Sequence, residues 1–226
     1  MTEHTKQPPS SGGIAYQLAR DLMEQLSVGC VRISIAGSIR RGKETPGDIE
    51  IVAVPATGEY QVKDMFDLVI ETVVVNRLHE TLNELFHRGT WNMALNQATL
   101  KPLRDGPKHK KLVHSATGVL CDLFMTETRH WGYTYVIRTG PAEFSHALVT
   151  RALNLHMFFN GCLLHNHPPV FEVVQGKREV QPCPYGDLCS QIIETPEEQA
   201  IFDALHLAYL SPVERGRIDP RSILRG

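Results

Sequence analysis

Three observations predict an α+β fold, with a mixed β-sheet and helices on one face, followed by a small C-terminal α/β lobe. Apolar residues recur at helical spacing in two early stretches. Apolar and polar residues alternate in strand rhythm between and after those stretches. The resulting order, helix, strand, strand, helix, strand, strand, suits a sheet covered by helices on a single face. With 226 residues, 42% of them hydrophobic, the chain can bury one good core or two small ones.

The elements follow in order along the chain. Residues 1–13, rich in Pro, Ser, Gly and Thr, read as a disordered tail. Ile14, Leu18, Leu22 and Leu26 mark a first helix. Val31, Ile33 and Ile35 alternate with Arg32 and Ser34, as in a strand buried on one face. Gly37 and Ser38 break that strand, and the polar segment through Lys43 opens a short helix. Gly47 turns the chain into a second strand over 48–54. Leu78, Leu82, Leu85 and Phe86 predict a helix over 76–87. Strands are expected at 108–113, with cations on one side, and at 119–125. Residues 133–138 read as a further strand, and Pro141 opens a helix with Phe144, Leu148, Ala152 and Leu155 on one face. Residues 170–180 read as a hairpin turning at Gln175-Gly176-Lys177. Thr195-Pro196-Glu197-Glu198 has the spacing of a capping box starting the final helix. The expected division is a main domain over 14–140, a C-terminal lobe over 141–215 and a tail over 216–226.

The stretch 36–51, AGSIRRGKETPGDIEI, carries the most specific chemistry. Backbone N–H groups at a helix start, with the Ser38 hydroxyl, make a seat for phosphate oxygens. Arg41 adds a planar, permanently charged fork. Asp48 and Glu50, two apart on a strand, point to the same face, while Ile49 and Ile51 point to the other. Two carboxylates side by side are costly unless a cation bridges them, and magnesium held by carboxylates and substrate phosphates does this. Asp122 interrupts the apolar run 119–125. An acid inside a buried strand needs a partner, either a metal or a nearby Arg or Lys.

These residues carry a family resemblance. Gly37-Ser38-Ile39-Arg40-Arg41-Gly42 followed by Gly47-Asp48-Ile49-Glu50 resembles the catalytic signature of the family X DNA polymerases, polymerase beta-like members of the nucleotidyltransferase superfamily. Asp122 matches the third catalytic aspartate, Thr139-Gly140 with Phe144 the threonine-glycine turn and its following helix, and the segment from Thr195 to Pro212 the closing thumb. The resemblance implies a nucleotidyltransferase palm and a thumb-like lobe, without the family's lyase and helix-hairpin-helix domains. It implies that Asp48, Glu50 and Asp122 hold two Mg2+ ions and that Asp122 accepts the proton of a primer 3′-hydroxyl. Gly37, Ser38, Arg41, Thr139 and Gly140 would contact the nucleoside triphosphate.

Departures from the family pattern shape the expectation. Glu50 stands where the family usually has aspartate, and the extra methylene could move metal preference toward Mn2+. Ile137 and Arg138 replace an aromatic pair that helps exclude ribonucleotides, and Ser145 replaces an asparagine facing the incoming base. The expected activity is DNA-directed nucleotidyl transfer that fills short gaps in repair. Two alternatives stand beside it. One is template-independent transfer to DNA ends, RNA or protein; the other is an inactive DNA-end-binding module.

The net charge of −2 is unlike that of a strongly basic nucleic-acid coat, so DNA contact must come from local patches. Arg40 and Lys43, Lys108 and Lys110, and Arg151 are the candidates, and a solvated basic loop explains the middle patch equally well. The missing domains imply a weak grip and help from a separate DNA-binding partner, and the chain is expected to be a monomer. No apolar run reaches membrane-spanning length, and five cysteines without a disulfide framework suit a reducing interior. His165, His167, Cys183 and Cys189 could supply four zinc ligands. The wide Cys-x5-Cys gap, and the restraint from Pro168 and Pro169, favour plain loop histidines and half-buried thiols at the level of sequence.

Overall fold

The computed structural model describes residues 13–225, so all of the tail expected over 1–13 except Gly13 lies outside the described residues. The chain divides into two compact units. The first comprises the described residues up to Ile39 together with Lys43–Glu127, and the second comprises Arg40–Gly42 and the chain from Thr128 onward.

In the first unit, α1 (Ile14–Ser27) is followed by β1 (Cys30–Ile35), the single turn α2 (Gly37–Arg40) and β2 (Ile49–Pro55). A hairpin, β3 (Thr57–Lys63) and β4 (Val69–Asn76), leads into α3 (Arg77–His87), β5 (Trp91–Met93), β6 (His109–His114) and β7 (Leu120–Met125). Five strands form one sheet in the order β1-β2-β7-β6-β5. The β2–β7 pair is parallel and the others are antiparallel, which makes the sheet mixed, as expected. Ala19, Leu22 and Leu26 of α1 and Leu78, Leu82 and Leu85 of α3 pack with Ile49, Ile51, Cys121 and Leu123 into one buried cluster. Full burial of a leucine or isoleucine side chain contributes about 1.5–3 kcal/mol, so these stripes anchor both helices to the sheet. Asn76 caps α3, its side chain accepting from His79 N–H at 3.1 Å.

The hairpin β3–β4 is absent from the sequence expectation. Its residues are exposed along nearly its whole length, so neither strand carries the one-sided burial that a periodicity argument detects.

The second unit holds α4 (Trp131–Thr139), α5 (Ala142–Asn154), β8 (Phe158–Asn160), β9 (Leu163–His165), β10 (Phe171–Val174), β11 (Lys177–Val180), β12 (Ile192–Ile193), α6 (Glu198–Ala204), α7 (Pro212–Arg215) and α8 (Pro220–Arg225). Its core joins Val136, Phe144, Leu148, Ala152, Ile201, Phe202, Leu205 and Ile223. The hairpin β10–β11 forms in the expected place, turning through Gln175 and Gly176, both at positive φ.

Three expectations are corrected in this unit. Residues 133–138 form helix α4, not a strand. Their β-branched and aromatic residues favour extended backbone, but Gly132 lets α4 lie against the Glu197 carbonyl, where a Cβ would come within 2.1 Å. That docking, with Val136 in the core, overrides local propensity. Second, no capping box forms at Thr195–Glu198; Glu197 is the N-cap of α6, its side chain does not cap the helix, and Glu198 is drawn elsewhere. The capping box of this lobe is Ser211 with Glu214, at the start of α7. Third, the segment 216–226 contains α8, whose Ile223 is buried in the core rather than lying in a tail. Among the described residues, no helix is long and apolar enough to cross a membrane.

Candidate active site

Strand register builds the acidic centre of the first unit. Ile49, Ile51, Cys121 and Leu123 face the core and are fully buried. The period of two therefore sends Glu50 and Asp122 to the opposite face, where they are direct partners across the parallel β2–β7 pair. Asp48 sits one residue ahead of β2, half-buried. The Cys121 thiol reports their proximity. It is pushed well above its ordinary range, first by burial and then by the negative charges of Asp122, Asp48 and Glu50.

The Gly-Ser turn lies over this centre. Gly37 has φ +63°, and a Cβ there would sit 2.1 Å from Oε2 of Glu50. Only glycine fits both the left-handed backbone and the closeness of that carboxylate. The longer side chain of Glu50 thus has a place of its own, against the Gly37 turn. Ser38 is half-buried beside it, and its carbonyl accepts from Lys43 N–H at 3.0 Å.

Asp122 has two protein partners, a lysine of the kind the sequence allows for and a histidine that it does not point to. Nε2 of His109 lies 2.6 Å from Oδ1, and Lys111 Nζ donates to Oδ2 at 2.8 Å. Lys111 is the direct register partner of Asp122 across β6–β7, and His109 stacks on Phe124, its own partner, with ring centroids 4.4 Å apart. The alternation of cations over 108–113 was visible in the sequence. What was not visible is the register that turns Lys111 onto an acid rather than toward solvent. Each carboxylate oxygen has further lone pairs beyond the one engaged, so Asp122 keeps acceptor capacity for a cation. Asp48, Glu50 and Asp122 offer oxygen donors alone, the ligand type that suits a hard divalent ion such as Mg2+.

The remaining expected site residues belong to the second unit. Thr139 is fully buried; its hydroxyl accepts from Arg40 Nη1 at 3.0 Å and its carbonyl from Arg41 Nη1 at 2.5 Å. Gly140 closes α4, its N–H donating to the Val136 carbonyl. Arg40, expected at DNA, instead makes a two-pronged pair with Glu198, at 2.6 and 2.7 Å, and lies over the Tyr135 ring at 3.7 Å. Arg215 donates to the same carboxylate at 2.7 Å, and the Tyr209 hydroxyl donates to it at 3.1 Å. Arg151 is buried, its Nε donating to the Leu205 carbonyl.

In the first unit Lys110 pairs with Asp105, while Lys43 and Lys108 are exposed. Of the five cations expected at nucleic acid, these last two are the ones presented to solvent. Compared with known proteins, the chain matches no family model and no curated protein.

Proposed function

We propose that the chain transfers a nucleotidyl group from a deoxynucleoside triphosphate to a primer 3′-hydroxyl on gapped DNA, using two divalent ions. The observation that carries this reading is the register of Glu50 against Asp122, with Asp48 beside them and the Gly37-Ser38 turn above. Bound divalent ions would neutralise the triphosphate and acidify the attacking hydroxyl. Asp48, Glu50 and Asp122 would hold them, and Asp122 would take the hydroxyl proton on a carboxylate oxygen. The 3′ oxygen bonds to the α-phosphorus, the bond to the bridging oxygen breaks, and pyrophosphate leaves. Lys111 and His109 orient the Asp122 carboxylate. The Ser38 hydroxyl binds phosphate oxygen. Lys43 and Lys108 supply backbone-phosphate contacts, so binding should weaken steeply with salt. The fold then corresponds to a nucleotidyltransferase palm with a thumb-like lobe.

A second reading, template-independent transfer, is favoured by Ser145. Its hydroxyl donates to the Ile137 carbonyl at 3.0 Å, an internal bond that occupies the group expected to face the base. Single-nucleotide incorporation on a gapped duplex separates the readings, comparing four bases, both sugars, and Mg2+ with Mn2+. Template-matched incorporation is expected. Incorporation indifferent to the template base would favour the second reading, and absence of turnover with either metal would overturn both.

The Gly37→Ala variant probes the turn. Left-handed backbone costs a non-glycine residue about 1–2 kcal/mol, and the new methyl group must displace the Glu50 carboxylate. A misplacement of that size lowers turnover by about a hundred-fold. Thermal melting and single-turnover kinetics read the two effects separately, and an unchanged rate would show that Glu50 has no need of its seat.

A further inference from the structure

The second unit contains a cluster that nucleotidyl transfer does not use. His165 ends β9, His167 lies two residues beyond it, and Cys183 and Cys189 flank the short 3-10 turn Gly186–Leu188. One ligand atom from each of these four side chains falls within 4.8 Å of all the others. A tetrahedral zinc ion with about 2.0–2.1 Å bonds to nitrogen and about 2.3 Å bonds to sulfur requires ligand atoms roughly 3.3–3.8 Å apart. A small inward movement of the side chains closes that gap.

Two independent features show that the cluster is built for a ligand. The His165 side chain is fully buried, and neither ring nitrogen has a hydrogen-bond partner. A buried imidazole with both nitrogens unsatisfied is costly, and a bond to metal removes that cost. His167 has the complementary arrangement. Its Nδ1 lies 3.1 Å from the Pro168 carbonyl, which can only accept, so Nδ1 carries the hydrogen and Nε2 is left as a free ligand atom.

The surrounding chain has little else to hold it. Among the described residues from Asn166 to Glu194, only Cys183 is buried, and both strands of the β10–β11 hairpin are exposed throughout. The core of this unit draws on Leu164 and Ile193, at either end of the excursion, and on nothing between them. A segment of nearly thirty residues folded without a core of its own is the situation in which a metal serves as the staple.

We propose that His165, His167, Cys183 and Cys189 bind one zinc ion in a closed, structural site that fastens the 166–191 excursion to the second unit. Two imidazoles with two thiolates in tetrahedral array select zinc over magnesium or calcium. Both cysteines bind as thiolates, so loading releases their protons. The four protein ligands leave no open position for substrate or water, and the ion takes no part in nucleotidyl transfer.

The full chain, produced without a polyhistidine tag and kept reduced, tests the proposal by metal analysis. About one zinc per chain is expected. Cys189→Ser and His167→Gln should each lower retained zinc by ten-fold or more after dialysis against a mild chelator, while Cys162→Ser, outside the cluster, should keep it. Cobalt exchanged into the unmutated protein should give thiolate-to-metal charge-transfer bands and the intense visible bands of a tetrahedral site, a readout independent of whether variants fold. Chelation should lower the melting temperature of the unmutated protein. Failure to retain stoichiometric zinc after loading and desalting would overturn the site. So would a cobalt spectrum lacking thiolate bands, or a mass lowered by two thiol hydrogens, showing a Cys183–Cys189 disulfide instead. None of these readouts depends on polymerase activity.

Discussion

Asp48→Asn and Asp122→Asn are each expected to reduce nucleotide incorporation to background, a loss on the order of a thousand-fold or more. Asparagine preserves the shape of each side chain and removes the charge that holds a divalent ion. The two variants should differ in stability. Asp48 is half-buried at the entry to β2, so its replacement should move stability by no more than about 1 kcal/mol. Asp122 is buried and engages both Lys111 and His109, and its neutral replacement weakens two charge-assisted hydrogen bonds at once. That change should lower stability by about 1–3 kcal/mol. Incorporation on a gapped duplex and chemical unfolding, run on the same preparations, measure both quantities. Retention of more than a tenth of the activity by either variant would sink the two-metal reading.

Glu198→Gln is expected to have the largest effect on stability. The Glu198 carboxylate receives a fork from Arg40, a bond from Arg215 and one from the Tyr209 hydroxyl. The Arg215 side chain is fully buried and that of Arg40 is one-fifth exposed, so both guanidinium groups depend on Glu198 for compensation. Breaking a buried pair from one side typically costs about 3–5 kcal/mol, because the remaining charge stays out of water. For a chain of this size such a loss corresponds to a fall in melting temperature on the order of 10 °C.

The pH dependence adds a signature. Burial raises the Glu198 pKa, but the hydrogen bonds and charges of Arg40 and Arg215 outweigh it and bring the value down from 4.5 to about 2. A carboxylate depressed in the folded state stabilises fully above its unfolded pKa and loses that contribution as pH falls through the folded value. The unmutated protein should therefore lose stability between about pH 4.5 and pH 2 more steeply than Glu198→Gln. Equal slopes over that window would show that the carboxylate is not held as an ion pair. The same contact explains why the Thr195–Glu198 capping box fails to form: Glu198 cannot both reach back to its own helix start and neutralise two arginines.

Local periodicity made much of the fold legible. Leu22 and Leu26, and Leu78, Leu82 and Leu85, lie on the buried faces of α1 and α3 because apolar side chains four apart on a helix share one side. The Gln175-Gly176 turn follows from residues that tolerate positive φ. The β3–β4 hairpin was invisible for the converse reason, since its exposed strands leave no one-sided apolar record. Helix α4 departs from its local signal because Tyr133 to Ile137 favour extended backbone in isolation, and the seat of Gly132 on the Glu197 backbone makes the helix the better solution.

The candidate site divides along the same line. That Asp48 and Glu50 lie close along the chain, and that Gly37 turns it ahead of Ser38, could be read from the chain alone, because both follow from geometry within a few residues. Asp122 was recognisable as an acid needing a partner, but not which partner it has. Tertiary structure decided that Glu50 meets Asp122, that His109 and Lys111 hold it, that Arg40 serves Glu198, and that His165, His167, Cys183 and Cys189 converge. Register and convergence depend on which distant faces bury together, and no stretch of local sequence contains that information.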